Sequence, residues 1–165
     1  MNRRIALWTA ALAAALIVAP PARAADAPTA EAPKVKTVTL HVFHRIFQNF
    51  QDRIVTPMKT EFRIGDSEYT GRVEEFVPDF AMDIQKHKVI SRSNEPKNPA
   101  FRILVRKNGV PRDTVWAFFN LPPHFAPKSE IGFVATEIQF VNRPPLASRD
   151  SVAVRMREQE KEHDK

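Results

Sequence analysis

Hydrophobic and polar residues alternate with a period of two along most of this chain, which is the spacing of half-buried β-strands rather than of helices. In VKTVTLHVFHRIF, starting at Val35, the residues Val38, Leu40 and Val42 alternate with Thr37, Thr39 and His41. Density in β-branched and aromatic side chains strengthens the reading of a first strand. The next stretch is ambiguous, because Phe43, Ile46, Phe47, Phe50 and Ile54 also match helical spacing. Residues 44–54 are therefore either strand or a short amphipathic helix.

From residue 60 onward, strand signals recur between turn residues in the manner of an antiparallel sandwich or small barrel. KTEFRI and EYTGRVEEF flank a Gly65-Asp66-Ser67 turn, and Gly71 is a candidate bulge. Phe76, Pro78, Phe80, Met82 and Ile84 fall on alternate positions, so VPDFAMDI reads as one half-buried strand with its proline at an edge or bulge. HKVISRS follows, then the proline-broken NEPKNP. The sharpest signal is Asn108-Gly109 between AFRILVRK and VPRDTVWAFF, since Asn-Gly adopts the positive φ angles of a two-residue hairpin turn. Trp116, Phe118 and Phe119 are expected to carry much of the core on its second arm. EIGFVATEIQFV reads as a late strand and DSVAVRM as a possible last one.

The ends behave differently. MNRRIALWTAALAAALIVAPPARA has the layout of a secretory signal peptide: Arg3 and Arg4 at the start, an apolar run from Ile5 to Ala19, and Ala22-Arg23-Ala24 before the cleavage point. The run is shorter than the roughly 20 residues a membrane-spanning helix needs. These features divide the chain into a signal peptide (1–24), a flexible Ala/Pro leader (25–34), one β domain (35–146) and a charged C-terminal segment (147–165). The expected location is the periplasm, with release outside the cell as the alternative.

Cleavage changes the charge. The whole chain carries 25 basic and 19 acidic residues, a net +6. Without Arg3, Arg4 and Arg23, the balance is 22 to 19, or +3. A surplus this small and this scattered is no phosphate-tracking surface, so nucleic acid is excluded as a partner. The absence of cysteine removes disulfides, thiol redox chemistry, c-type haem attachment and lipoprotein acylation. No cofactor is expected.

Candidate chemistry is sparse. His41, His44, His87 and His124 lie in the folded part, but His41 and His44 would point to opposite faces of a strand, leaving them weak metal ligands unless the segment is helical. Glu74, Glu75, Asp79 and Asp83 read as solvated strand-face charges rather than an acid/base pair. No nucleophile elbow, HExxH helix or glycine-rich phosphate loop occurs, so no catalytic residue is assigned. Two proline-stiffened loops stand out. Arg92, Ser93, Asn94, Glu95 and Asn98 carry donors and acceptors that serve either a recognition surface or the loop's own backbone. Asn120, His124 and Phe125 form the second, polar-aromatic candidate.

GDSEYTGRVEEFVPDF, VISRS, NPAFRILV and the hairpin follow an order that resembles the periplasmic β region of ResB-type cytochrome c maturation proteins, over at most residues 61–120. The resemblance implies an accessory domain near respiratory or cytochrome assembly machinery. It transfers no functional residue, because the family's membrane helices and haem-handling histidine have no counterpart here. The leading expectation is thus a non-enzymatic module that contacts another periplasmic or membrane-associated protein. A small-ligand, haem or metal binder comes second and a hydrolase third. An exposed apolar patch beside residues 89–101 would favour the first.

Overall fold

In the computed structural model, which describes residues 31–47 and 49–149, ten strands follow one another without a helix: β1 (Val35–His44), β2 (Gln51–Thr56), β3 (Glu61–Arg63), β4 (Tyr69–Val77), β5 (Phe80–Asp83), β6 (Lys88–Ser91), β7 (Ala100–Lys107), β8 (Val110–Phe119), β9 (Ile131–Phe140) and β10 (Leu146–Ala147). The main sheet runs β2-β1-β9-β8-β7-β4-β3, with β10 on β9. It curls into a nearly closed barrel, the second of the two architectures the strand pattern allows. One pair departs from the antiparallel expectation: β8 and β9 run parallel at Phe118↔Val134 and Phe119↔Ala135. The 120–130 connection makes this possible by carrying the chain back toward the start of β9, touching it at an antiparallel His124↔Phe133 bridge. The signal peptide and DSVAVRM lie outside the described residues.

Strand alternation fills the barrel. Leu40 and Val42, Ile103 and Val105, Val115 and Ala117, and Phe133 and Ala135 are buried at alternate positions, as the pleat requires. Two irregularities break the period usefully. A register shift between Thr39 and Leu40 accounts for three consecutive buried residues, Val38, Thr39 and Leu40. A bulge at Glu74 lets Val73 oppose Ile103 and Phe76 oppose Phe101, so both face inward although three residues apart. The bulge therefore sits at Glu74 and not at Gly71. Gly71 serves close packing instead: the Phe62 ring lies where its Cβ would be, at 2.5 Å.

The stretch 44–54 is not helical. His44 Nδ1 accepts hydrogen bonds from the Ile46 and Phe47 amides at 3.1 and 3.2 Å, which turns the chain, and β2 then pairs antiparallel with β1. The helical spacing was coincidental, since Ile46 and Phe47 are exposed. Between β2 and β3 there is no backbone ladder. Asp52 Oδ2 bridges the seam by accepting the Gly65 amide at 2.9 Å.

The Asn108-Gly109 hairpin forms as expected, with Lys107 opposite Val110 and positive φ at both turn residues, 51° and 77°. These are the angles of a type I′ turn. A Cβ at Gly109 would meet nothing within 4 Å, so Gly109→Ala isolates conformational strain. The expected cost is about 1 kcal/mol by chemical denaturation. A neutral substitution would contradict this turn geometry.

Two expectations about the second half of the chain need correction. VPDFAMDI is not one strand, because the chain turns at Pro78-Asp79 and β5 leaves the barrel to pair with β6 in a separate two-stranded ribbon. Trp116 and Phe118 are not in the barrel core either. On β8 the inward positions are Val115, Ala117 and Phe119, while Trp116 and Phe118 face outward and are half-buried.

The leader and tail are partly held. At residues 31–34, Asn142 donates to Ala32 O and accepts from the Lys34 amide, and Arg143 donates to Glu31 O at 2.8 Å. Ala147 and Ser148 continue the sheet alongside β9.

Candidate functional site

The outward side of β8 builds a second, smaller apolar layer. Phe80, at the root of the ribbon, packs edge-on against Trp116 and Phe118 with ring centroids 5.2 and 5.0 Å apart. His124 meets Phe118 edge-to-face at 5.8 Å. This shelf joins the two loops singled out in the sequence: Pro99 O accepts the Phe119 amide at 3.0 Å, and Asn98 exchanges hydrogen bonds with Phe80, donating to its carbonyl from Nδ2 and accepting its amide at the backbone carbonyl, both at 2.9 Å. Exposed apolar residues surround it. Ile90 and Leu121 are 44 and 48 % exposed.

The first loop is organised around Asp79, which is buried and so is not a solvated strand-face charge. Its carboxylate accepts from Arg92 Nη2 at 2.8 Å and from Ser93 Oγ at 3.1 Å. Its backbone carbonyl accepts the Arg92 amide and its amide donates to Ser91 Oγ. Arg92 and Ser93 thus hold the loop's own framework, as Asn98 does. Glu95 faces Arg143 at 3.9 Å, and Asn94 is half-buried in the same loop.

The second loop divides. Asn120 Oδ1 accepts the Arg149 amide at 3.3 Å, and His124 joins the shelf. Phe125 turns away: its ring covers Gly132, where a Cβ would lie 2.7 Å from it, and Arg45 stacks over it at 5.4 Å. The structure therefore brings Asn98 and His124 together through Phe80 and Phe118, and leaves Phe125 with the opposite end of the barrel. The sequence pattern did not mark Phe80, Trp116 and Phe118 as site residues. Their place on alternate positions made them look like core.

The hydrogen bond from Arg92, then that from Ser93, hold the Asp79 carboxyl below its ordinary value of 3.8. A carboxyl whose folded pKa is depressed stabilises the fold in full above that ordinary value, and the contribution is lost as pH falls through the lowered folded pKa. Thermal melts between pH 5 and pH 2 should therefore show a steeper fall for the wild type than for Asp79→Asn. Equal slopes would remove Asp79 from the acid response. At neutral pH, Arg92→Ala should lower the melting temperature by roughly 3–8 °C, because it strips a buried carboxylate of a partner. Glu95→Ala should change it by no more than about 1 °C, since its long, half-exposed ion pair adds little.

Other titratable groups serve the far end of the barrel. Tyr69 OH donates to Glu130, and Lys107 Nζ pairs with Glu68 at 2.8 Å while lying over the Tyr69 ring. Burial, then the Glu130 hydrogen bond, raises the Tyr69 pKa. Glu74 pairs with Arg72 and Lys59, and Glu75 with Arg102. Asp83 Oδ1 accepts the Gln85 and Lys86 amides. His41 lies outward on β1, opposite Arg53. Burial, then the Arg53 charge, lowers its pKa. His41 and His44 occupy opposite faces of β1, and among the described residues no three His, Cys, Asp or Glu side chains converge as metal ligands. No helix among these residues is long and apolar enough to cross a membrane. Comparison with protein-family models, curated proteins and solved structures found no match.

Proposed function

We propose that this chain is a non-enzymatic, exported accessory domain whose outer shelf on β8 docks another protein. The observation that carries the reading is the meeting of two proline-stiffened loops around an aromatic layer placed outside the barrel. Evolution of a stable barrel does not require Trp116, Phe118 and Phe80 there, because the interior is already filled by Phe101, Phe119, Phe133 and Phe140. Apolar groups left accessible beside such a layer, here Ile90 and Leu121, are what a docking surface offers. The loops add polar edges held in fixed positions by Asp79 and Pro99, so ordering them on binding costs little entropy.

The periplasm is the compartment we assign, on the signal-like first 24 residues and on a cysteine-free fold held by packing. The ResB-like order of pieces over residues 61–120 directs the first search for a partner to respiratory and cytochrome assembly proteins. A photo-crosslinking residue at Leu121, tested in the native cells, should trap one defined protein, and the same residue at Val55 on β2, equally exposed, should not. Identical adducts at both positions, or none at Leu121, would refute docking at the shelf.

A further inference from the structure

The β5–β6 ribbon carries a second surface, separate from the shelf at its root. Phe80 anchors one end on Trp116 and Phe118, and beyond that point no barrel strand pairs with the ribbon. Its outer half is apolar where a free ribbon should be polar. Ile84 is 79 % exposed and Met82 52 %. Register places Met82 opposite Val89, and Ala81 opposite Ile90. Met82 therefore lies on one face, Ile90 on the other, and Ile84 in the turn. Exposed apolar groups on both faces and at the turn do not match a flat protein surface, which would cover one face only. They match a medium that surrounds the ribbon.

Charge specifies that medium. From Ile84 to Arg92 the chain contains Lys86, Lys88 and Arg92 and no acidic residue. The nearest carboxylates are engaged, Asp83 in capping the turn amides and facing Lys86 at 3.9 Å, and Asp79 with Arg92. Lys86, His87 and Lys88 are exposed. Apolar side chains ringed by lysines at a projecting turn are the pattern of shallow insertion into an anionic lipid surface. There the apolar groups enter the headgroup boundary, and lysine stems lie alongside them with their ammonium groups at the phosphates.

We propose that the β5–β6 ribbon docks the domain on an anionic phospholipid surface, with Ile84, Met82 and Ile90 entering the interface and Lys86 and Lys88 contacting headgroup phosphates. The lipid contact would hold the shelf near membrane-associated proteins. It stands on the ribbon alone and does not require the shelf to bind anything.

Co-sedimentation of the purified protein with vesicles of phosphatidylglycerol and phosphatidylcholine, against vesicles of phosphatidylcholine alone, tests it. Binding should prefer the anionic vesicles and weaken as salt rises. Ile84→Asp should weaken it at least about 10-fold. The double change Lys86→Glu with Lys88→Glu should weaken it about 30-fold or more, from roughly a tenfold factor per two-thirds of a unit charge contact at the surface. Both variants should melt at the wild-type temperature, because the altered side chains are exposed. Three results would overturn the proposal: no binding to anionic vesicles at low salt, equal and salt-insensitive binding to both kinds, or wild-type binding by Ile84→Asp. Crosslinking from position 84 to an acidic protein segment, without vesicle binding, would reassign the ribbon to a protein partner. The trap at Leu121 reads the shelf independently, so each surface fails or stands by its own measurement.

Discussion

Replacing Phe133 with alanine should cost about 3–5 kcal/mol in chemical denaturation, a large share of the roughly 5–15 kcal/mol that holds a domain of this size together. Phe133 is fully buried on β9, between β1 at Val42 and the returning 120–130 connection at His124, and its ring meets Phe62 edge-on at 6.4 Å. Neighbours on paired strands cannot close over the void without breaking register, so the cavity persists and adds to the lost transfer free energy. Phe118→Ala on the outer layer is the informative control. Its ring is half-exposed, and its removal should cost clearly less. Equal losses at both positions would mean that the main core lies outside the barrel, against the arrangement described above.

The second large effect is expected at Gly71. Its Cβ would sit 2.5 Å from the Cε2 and Cζ atoms of Phe62, on the strand directly paired with it. Phe62 can yield only by moving its ring, and on the inner side Phe133 stands in the way. Gly71→Ala should therefore destabilise by about 1–3 kcal/mol through overpacking. The diagnostic is coupling. Phe62→Leu has its own cost, but in its background Gly71→Ala should lose most of its effect, because the clash partner is gone. Strict additivity would show that Gly71 is required for some reason other than the Phe62 ring. The same contact explains why a glycine inside a strand looked like a bulge: bulges and close approaches both select for a missing side chain.

Functional readings depend on these packing facts. If Trp116 and Phe118 belonged to the barrel interior, the shelf would not exist, and the loops at 92–98 and 120–125 would have no common surface. Because they face outward, the first loop meets the layer through Asn98 and Phe80, and the second through His124. Arg92 and Ser93, attractive as recognition residues in isolation, are drawn inward by Asp79. The exposed groups left for contact are Leu121, Ile90 and the ribbon.

By itself the sequence determined the class of fold and its most local features. Period-two alternation identified β1, β4, β7, β8 and β9, because pleating sends successive side chains to opposite faces whatever the global topology. Asn108-Gly109 identified the hairpin, because positive φ at two adjacent residues is a local steric requirement. The tertiary structure decided which face of each strand points inward. Alternation is symmetric, so in WAFF either Trp116 and Phe118 or Ala117 and Phe119 could have entered the core, and volume settled it: the inside of a narrow barrel already holding Phe101 and Phe133 accepts Ala117 opposite Phe101 and has no room for an indole there. The bulge at Glu74, the parallel β8–β9 pair and the departure of the β5–β6 ribbon at Pro78-Asp79 are likewise consequences of closure, settled by strands far apart in sequence. So is the candidate site, which exists because closing the barrel on smaller side chains left the larger aromatic ones outside.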